Sequence, residues 1–126
     1  MKNTLTKAEW AVMSALWKKP NLTISGIIKT IGDELDWKYN TYATYLKRMC
    51  DKGFVDYEQL GRDKFYYPAV DKSACILAES RSVLSKIDRR ATKEFVMCMI
   101  KDGGLDANDR KDLRNLLDEL NKEGDT

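Results

Sequence analysis

Trp37 to Pro68, WKYNTYATYLKRMCDKGFVDYEQLGRDKFYYP, is the stretch whose reading decides the fold. In a helix starting near Lys38, Tyr42, Leu46, Met49, Cys50 and Gly53 fall on one face. Asn40, Thr41, Thr44, Lys47 and Arg48 fall on the opposite side. Gly53 ends that helix, and the period then shortens from 3.6 to 2. Val55 and Tyr57 alternate with Asp56 and Glu58, and Gly61-Arg62-Asp63-Lys64 turns the chain into Phe65-Tyr66-Tyr67. A helix with short hydrogen-bonding and basic side chains outward, followed by a small hairpin with a basic tip, has the form of a recognition helix and a wing. It points to duplex DNA rather than to a catalytic site.

Two helices precede it. Thr6-Lys7-Ala8-Glu9 has the T-x-x-E form of a capping box, with Leu5 and Trp10 spaced for a hydrophobic staple. Trp10, Met13, Leu16 and Trp17 make an apolar stripe that Pro20 stops. A second helix is predicted from Thr23, with Ile24, Ile27, Ile28, Ile31 and Leu35 at helical spacing and Gly26 weakening its first turn. The fold class is therefore mainly α with a small β-hairpin, in the order α-α-α-β-β: a winged helix-turn-helix domain over residues 1–70. Trp10, Trp17 and Trp37 read as structural. Tyr39 and Tyr45 flank the outward face of the third helix, where they either pack on the domain or touch a sugar–phosphate backbone.

Asp71 marks the boundary to a helical region, residues 71–126. A fourth helix, capped by Asp71 or Ser73, runs to about Arg90 with Ile76, Leu77, Val83, Leu84 and Ile87 on one face. A short fifth helix over 92–101 carries Phe95, Val96, Met99 and Ile100 before Gly103-Gly104 breaks it. The last begins near Asp106 and shows Leu113, Leu116, Leu117 and Leu120, ahead of a polar tail expected to fray. Three short one-sided helices are too thin to close a core beside a complete winged helix. Their apolar faces need cover, most simply from a second copy of the chain; folding back onto the first domain is the alternative.

Composition narrows the function classes. The 126 residues suffice for one domain, or for a small domain with an appendage. Residues 1–70 carry 11 Lys/Arg against 8 Asp/Glu, a net of +3, and residues 71–126 carry 11 against 12, a net of −1. This contrast supports DNA binding without demanding it. With no histidine, and with Cys50, Cys75 and Cys98 far apart, neither a zinc site nor imidazole acid–base chemistry is expected. No glycine-rich phosphate loop or nucleophile–base pair is present, so the chain reads as a non-enzyme without metal or cofactor. No apolar run is long enough to span a bilayer and no N-terminal stretch reads as a signal peptide, which makes the cytoplasm the expected compartment.

These residues, in order and at this spacing, resemble the penicillinase-repressor (BlaI/MecI-type) family, which includes the copper-transport repressors. The resemblance covers nearly the whole chain. It rests on Leu5-Thr6-x-x-Glu9-Trp10-x-Val12-Met13-x-x-Leu16-Trp17, then on Trp37-x-x-x-Thr41-x-x-Thr44-x-Leu46-x-Arg48-Met49-x-x-Lys52-Gly53, and on Gly61-Arg62-x-x-x-Tyr66-x-Pro68. It implies a homodimeric winged-helix repressor bound to an inverted-repeat operator, controlling a resistance or transport operon. The third helix would enter the major groove, and the C-terminal helices would join the dimer.

Carried over residue by residue, Thr41 and Thr44 match positions that approach base edges. Each offers a hydroxyl, and a methyl for thymine. Lys47 and Arg48 suit phosphate or base contact. Asn40 stands where relatives often carry lysine, and an asparagine there can read adenine bidentately. Arg62 and Lys64 suit backbone or minor-groove contacts, which position more than they specify. Lys52 is either a further DNA contact or a plain surface lysine. Lys86-Ile87-Asp88-Arg89-Arg90 with Lys93 reads as a solvated face, with a second DNA contact as the alternative.

Release is where this chain departs from the family. Copper-responsive members carry a cysteine-rich hook near the C-terminus, and no cysteine follows Cys98 here. Penicillinase-type members are cut by a sensor-linked protease between Asn and Phe in the fifth helix, where this chain has Cys98-Met99. A protease partner is therefore implied by the resemblance but not by the dipeptide. Cys98 in its apolar stretch, and Cys50 on a buried face, read as small core residues rather than redox sensors. A competing reading is a winged-helix protein-interaction module, which the hydroxyl-rich basic face of the third helix disfavours.

Overall fold

A computed structural model describes residues 4–124. They form α1 (Lys7–Lys18), α2 (Ile24–Ile31), α3 (Tyr39–Asp51), strands β1 (Val55–Leu60) and β2 (Asp63–Pro68), α4 (Lys72–Lys86), α5 (Thr92–Asp102) and α6 (Ala107–Gly124). By contacts the chain divides into two compact units between Val83 and Leu84.

The first unit is a winged helix. Thr6 caps α1 as its sequence requires: the Glu9 N–H donates to the Thr6 hydroxyl at 3.2 Å, and the Thr6 N–H donates to Glu9 Oε1 at 2.9 Å. Thr23 caps α2 one way only, its hydroxyl accepting the Gly26 N–H at 3.1 Å. The inward faces of α1, α2 and α3 meet in one core around Val12, Met13, Leu16, Ile27, Tyr42, Leu46, Met49 and Phe54. Trp10 and Trp17 sit edge to face at its margin with centroids 5.7 Å apart. The Tyr42 hydroxyl is buried without a hydrogen-bond partner.

The hairpin pairs antiparallel in the register Val55↔Pro68, Tyr57↔Tyr66 and Leu60↔Asp63. The turn is thus only Gly61-Arg62, shorter than the four-residue turn expected. Gly61 carries a φ of 64°, and a tight hairpin turn of this size needs a left-handed residue there. The base of the wing is tied down by an element that periodicity does not announce. Leu22, just after the left-handed Asn21, bridges to Tyr66: the Leu22 N–H donates to the Tyr66 carbonyl at 3.1 Å, and the Tyr66 N–H to Leu22 at 2.8 Å.

Several boundaries differ from expectation. Helix α2 stops at Ile31, because Gly32 takes a φ of 63° and its N–H caps the Ile28 carbonyl; Leu35 is extended. Helix α4 stops at Lys86 rather than near Arg90. Asp88 is extended, and its side chain accepts the Arg90 N–H, which starts a separate turn over Arg89–Ala91. Helix α6 takes in most of the polar tail and continues to Gly124; Asp125 and Thr126, the end of the tail expected to fray, lie outside the described residues. Reciprocal bonds between Asp106 and Asp109 cap the start of α6. The division by contacts falls beyond the expected boundary at Asp71, because the start of α4 belongs to the winged-helix core through the buried Cys75.

In the second unit, neither α5 nor α6 contains a buried residue. Phe95, Val96, Met97, Met99, Leu116, Leu117 and Leu120 are all exposed. Cys98 is exposed as well, against the expectation of a core residue: α5 lies uncovered in the single chain. Among the described residues, no helix is long and apolar enough to cross a membrane.

Candidate nucleic-acid interface

Because Tyr42, Leu46 and Met49 anchor α3 in the core, its opposite side must face solvent. Asn40, Thr44, Lys47 and Arg48 are exposed there, and Thr41 is half-buried. The Thr44 hydroxyl donates its proton to the Asn40 carbonyl at 3.0 Å. That leaves the oxygen lone pairs and the methyl as the groups Thr44 presents outward, which suits an amino donor or a thymine methyl. Arg48 is pre-ordered by stacking. Its guanidinium lies 5.5 Å from the Tyr45 ring centroid, and Tyr45 in turn stacks on Trp37 at 4.2 Å. Of the two tyrosines with open roles, Tyr45 packs and Tyr39 is exposed.

An open cleft of about 740 Å³ separates α3 from the wing. Lys47 of α3 and Arg62 and Lys64 of the wing line it together, with Thr23 and Ser25 at the start of α2 and Tyr39, Tyr57 and Tyr66 between. Asp51 and Asp63 line it too, and a phosphate entering the cleft must stay clear of them. Asn40, Thr41, Thr44 and Arg48 are not part of its wall; they belong to the ridge of α3. Lys64 Nζ sits 4.6 Å from the centroid of Tyr57, which holds the wing cation in place. Thr23, Ser25 and Tyr57 were not among the site residues read from the sequence. The hairpin register carries the signal for Tyr57, since its cross-strand partner Tyr66 stands two residues from Lys64.

Lys52, weighed as a DNA contact, is committed elsewhere. Its ammonium donates to Glu9 Oε2 at 3.0 Å, joining the end of α3 to the first turn of α1. Glu9 is the buried charged residue of the core, satisfied by the capping box on one oxygen and by Lys52 on the other. Burial pushes its carboxyl up, but the Thr6 backbone bond and the Lys52 ammonium outweigh this and hold it below the ordinary value of 4.5. A depressed folded-state value stabilises the fold at pH above the unfolded-state value and loses that effect as pH falls through the folded one. Glu9→Gln is therefore expected to lower stability by about 1 kcal/mol at neutral pH. The gap to the parent should close on acidification below 4.5, as read from urea midpoints across pH. A gap that widens in acid would reverse the assignment.

The cysteines offer no reactive group near the interface. Burial raises the Cys50 thiol, and the carboxylates of Asp56 and Asp51 raise it further against Lys64. Cys75 is raised by burial and by Glu79. Among the described residues no group of histidine, cysteine or carboxylate side chains is placed to hold a metal ion.

Residues 5–119 match the family model described as penicillinase repressor. The methicillin resistance regulatory protein MecI of Mammaliicoccus sciuri is 27% identical over 113 residues, covering 90% of this chain and 92% of that protein. The penicillinase repressor of Bacillus licheniformis is 26% identical over 115 residues, covering 91% and 90%. Among solved structures, the PcaV transcriptional regulator of Streptomyces coelicolor aligns over 94% of this chain and 75% of its own, with a TM-score of 0.50 at 17% identity, a likeness of fold alone. With the match spanning both units, the chain belongs to the penicillinase repressor family of transcriptional regulators.

Proposed function

We propose that this chain is a cytoplasmic homodimeric repressor that binds an inverted-repeat operator, with residues 1–70 reading DNA and residues 71–126 joining the protomers. The observation that carries the DNA-binding half is the ridge of α3 with Thr44, Lys47 and Arg48 exposed, opening onto a cleft shared with Arg62 and Lys64. Helix α3 enters the major groove, where Asn40, Thr41 and Thr44 meet base edges, while the wing cations hold phosphates. Membership of a repressor family and the net positive charge of residues 1–70 support the same reading.

The dimer half is supported by the second unit, whose helices bury none of their own side chains. Short helices do not persist in water on propensity alone, so their apolar faces call for a second copy. Ile76, Leu77 and Leu84 of α4 add to the exposed apolar surface of α5 and α6, whereas Val83, Ile87 and Leu113 are half-buried within the single chain. A sensor-linked protease cutting α5 between Cys98 and Met99 would part such a dimer. The genes under control belong to a resistance or transport operon.

Selection from randomised duplexes with the full chain tests this. Two symmetric half-sites about one helical turn, or a multiple of it, apart are expected, with affinity falling steeply as salt rises. Thr44→Ala should relax base preference at one position per half-site, whereas Lys64→Ala should weaken all sequences about equally. Uniform binding to all duplexes would overturn the reading.

A further inference from the structure

Four side chains around α3 form a series that runs from the core to the surface. Tyr42 is 1% exposed. The Trp37 ring meets it edge to face with centroids 5.2 Å apart. Trp37 also stacks on Tyr45, with centroids 4.2 Å apart and 29° between the planes. Tyr45 is half-buried, and the guanidinium of the exposed Arg48 lies 5.5 Å from its centroid. Trp37 precedes α3 and packs against the core, while Tyr45 and Arg48 stand about one turn apart on the helix. Thr41, Thr44 and Arg48 follow the spacing i, i+3, i+7 and so share one face of α3. Lys47, next to Arg48 in sequence, lines the cleft with the wing instead. Two neighbouring cations of α3 therefore have different surroundings, and the aromatic series belongs to Arg48.

We infer that Trp37 is a positioning residue for DNA binding, acting through Tyr45 on the direction of the Arg48 guanidinium. This rests on the reading of α3 as the helix that meets DNA. An exposed arginine turns about several side-chain bonds, and binding must freeze them. Charge alone does not choose among those rotamers. A ring face does, because the planar guanidinium gains from lying over it. The Tyr45 ring could itself turn about its side-chain bonds. Stacking on Trp37, which is braced in turn by the buried Tyr42, holds it in one pose. Arg48 is thereby offered along the face of Thr41 and Thr44 before any contact is made, and less rotamer freedom is lost on binding. Removing Trp37 leaves the charge of Arg48 in place and takes away its order.

The test is a double-mutant cycle on the full chain, read as affinity for the operator selected from randomised duplexes. Trp37→Leu is expected to lower affinity by about tenfold, about threefold from each protomer, which is the size of an exposed cation–π contact. Arg48→Met should lower it by about thirtyfold. With Arg48→Met already present, adding Trp37→Leu should change affinity by less than about twofold. Tyr45→Phe keeps the ring and should bind like the parent, whereas Tyr45→Leu should fall as far as Trp37→Leu. Because Trp37 also packs against the core, melting is followed for each variant. Should Trp37→Leu not fold, Tyr45→Leu is taken through the same cycle with Arg48→Met. An equal loss from Trp37→Leu with and without Arg48 overturns the inference, showing that Trp37 serves the fold of α3 instead. A folded Trp37→Leu that binds like the parent, where Arg48→Met is weakened, also overturns it and leaves the repressor reading in place. If Arg48→Met binds like the parent as well, Arg48 is no DNA contact and the inference falls with it. A parent that prefers no duplex over another overturns both readings at once.

Discussion

Reversing two charges, Arg48→Glu with Arg62→Glu, is expected to remove operator binding at physiological salt while leaving the fold untouched. Both side chains are exposed, one on the ridge of α3 and the other at the turn of the wing. Arg48 gives up only a surface stack on Tyr45, worth about 0.5–1 kcal/mol at an exposed site. Each lost contact to DNA costs about 1 kcal/mol or more, and a symmetric dimer loses four of them, so affinity should drop by roughly a thousandfold. The dependence on salt should flatten as well, by about 0.9 for each phosphate contact removed. Titrations at several salt concentrations read both effects, and unchanged melting confirms the fold. Binding within tenfold of the parent would show that α3 and the wing do not face DNA.

Placing carboxylates on the second unit should have a comparable effect by another route. Met99 and Leu116 are 58% and 50% exposed in the single chain, so Met99→Asp with Leu116→Asp disturbs little of its internal packing. In a dimer the same positions are covered, and an unpaired buried charge there costs several kcal/mol. The expected result is a monomer by light scattering at micromolar concentration, with part of the helical signal of α5 and α6 lost. Palindrome affinity should fall by about 10²–10⁴, the gain that linking two modest contacts normally gives, whereas a single half-site should be bound as before. A variant that stays dimeric would move the interface off α5 and α6.

The winged helix was legible in the sequence because its signals are local. The Thr6–Glu9 box lies within four residues, the stripes of α1 and α3 repeat every turn, and the hairpin alternates with period two. What the sequence hid is what joins distant segments. Lys52 meets Glu9 across 43 positions, and Glu79 meets Trp10 across 69. No spacing rule distinguishes a lysine that faces phosphate from one that satisfies a buried carboxylate, and only the packing of α1 against the end of α3 decides it. Helix ends were hidden for a different reason. Gly32 takes a left-handed φ and Asp88 an extended backbone whose side chain starts a new turn, and the apolar period announces neither departure.

The exposure of the candidate interface residues was legible in the sequence, and the shape they make was not. Asn40, Thr44, Lys47 and Arg48 stand out on α3 as periodicity requires, but their grouping into a ridge and a cleft depends on where the wing stands. The expectation that Cys98 is buried failed because an apolar stretch implies cover without saying whose.

The bridge between Leu22 and Tyr66 divides the wing into two parts with different freedom to vary in evolution. At the base, Tyr66 is buried and both of its backbone polar groups are used, so a change there disturbs the core that holds α2 and α3. Beyond it, from Gln59 to Lys64, every residue is exposed and pairs only within the hairpin. Lineages can therefore change the tip, gaining or losing a cation and with it the DNA contact proposed there, without passing through unstable intermediates. Diversity among descendants should gather there, and the Leu22–Tyr66 pair should stay still.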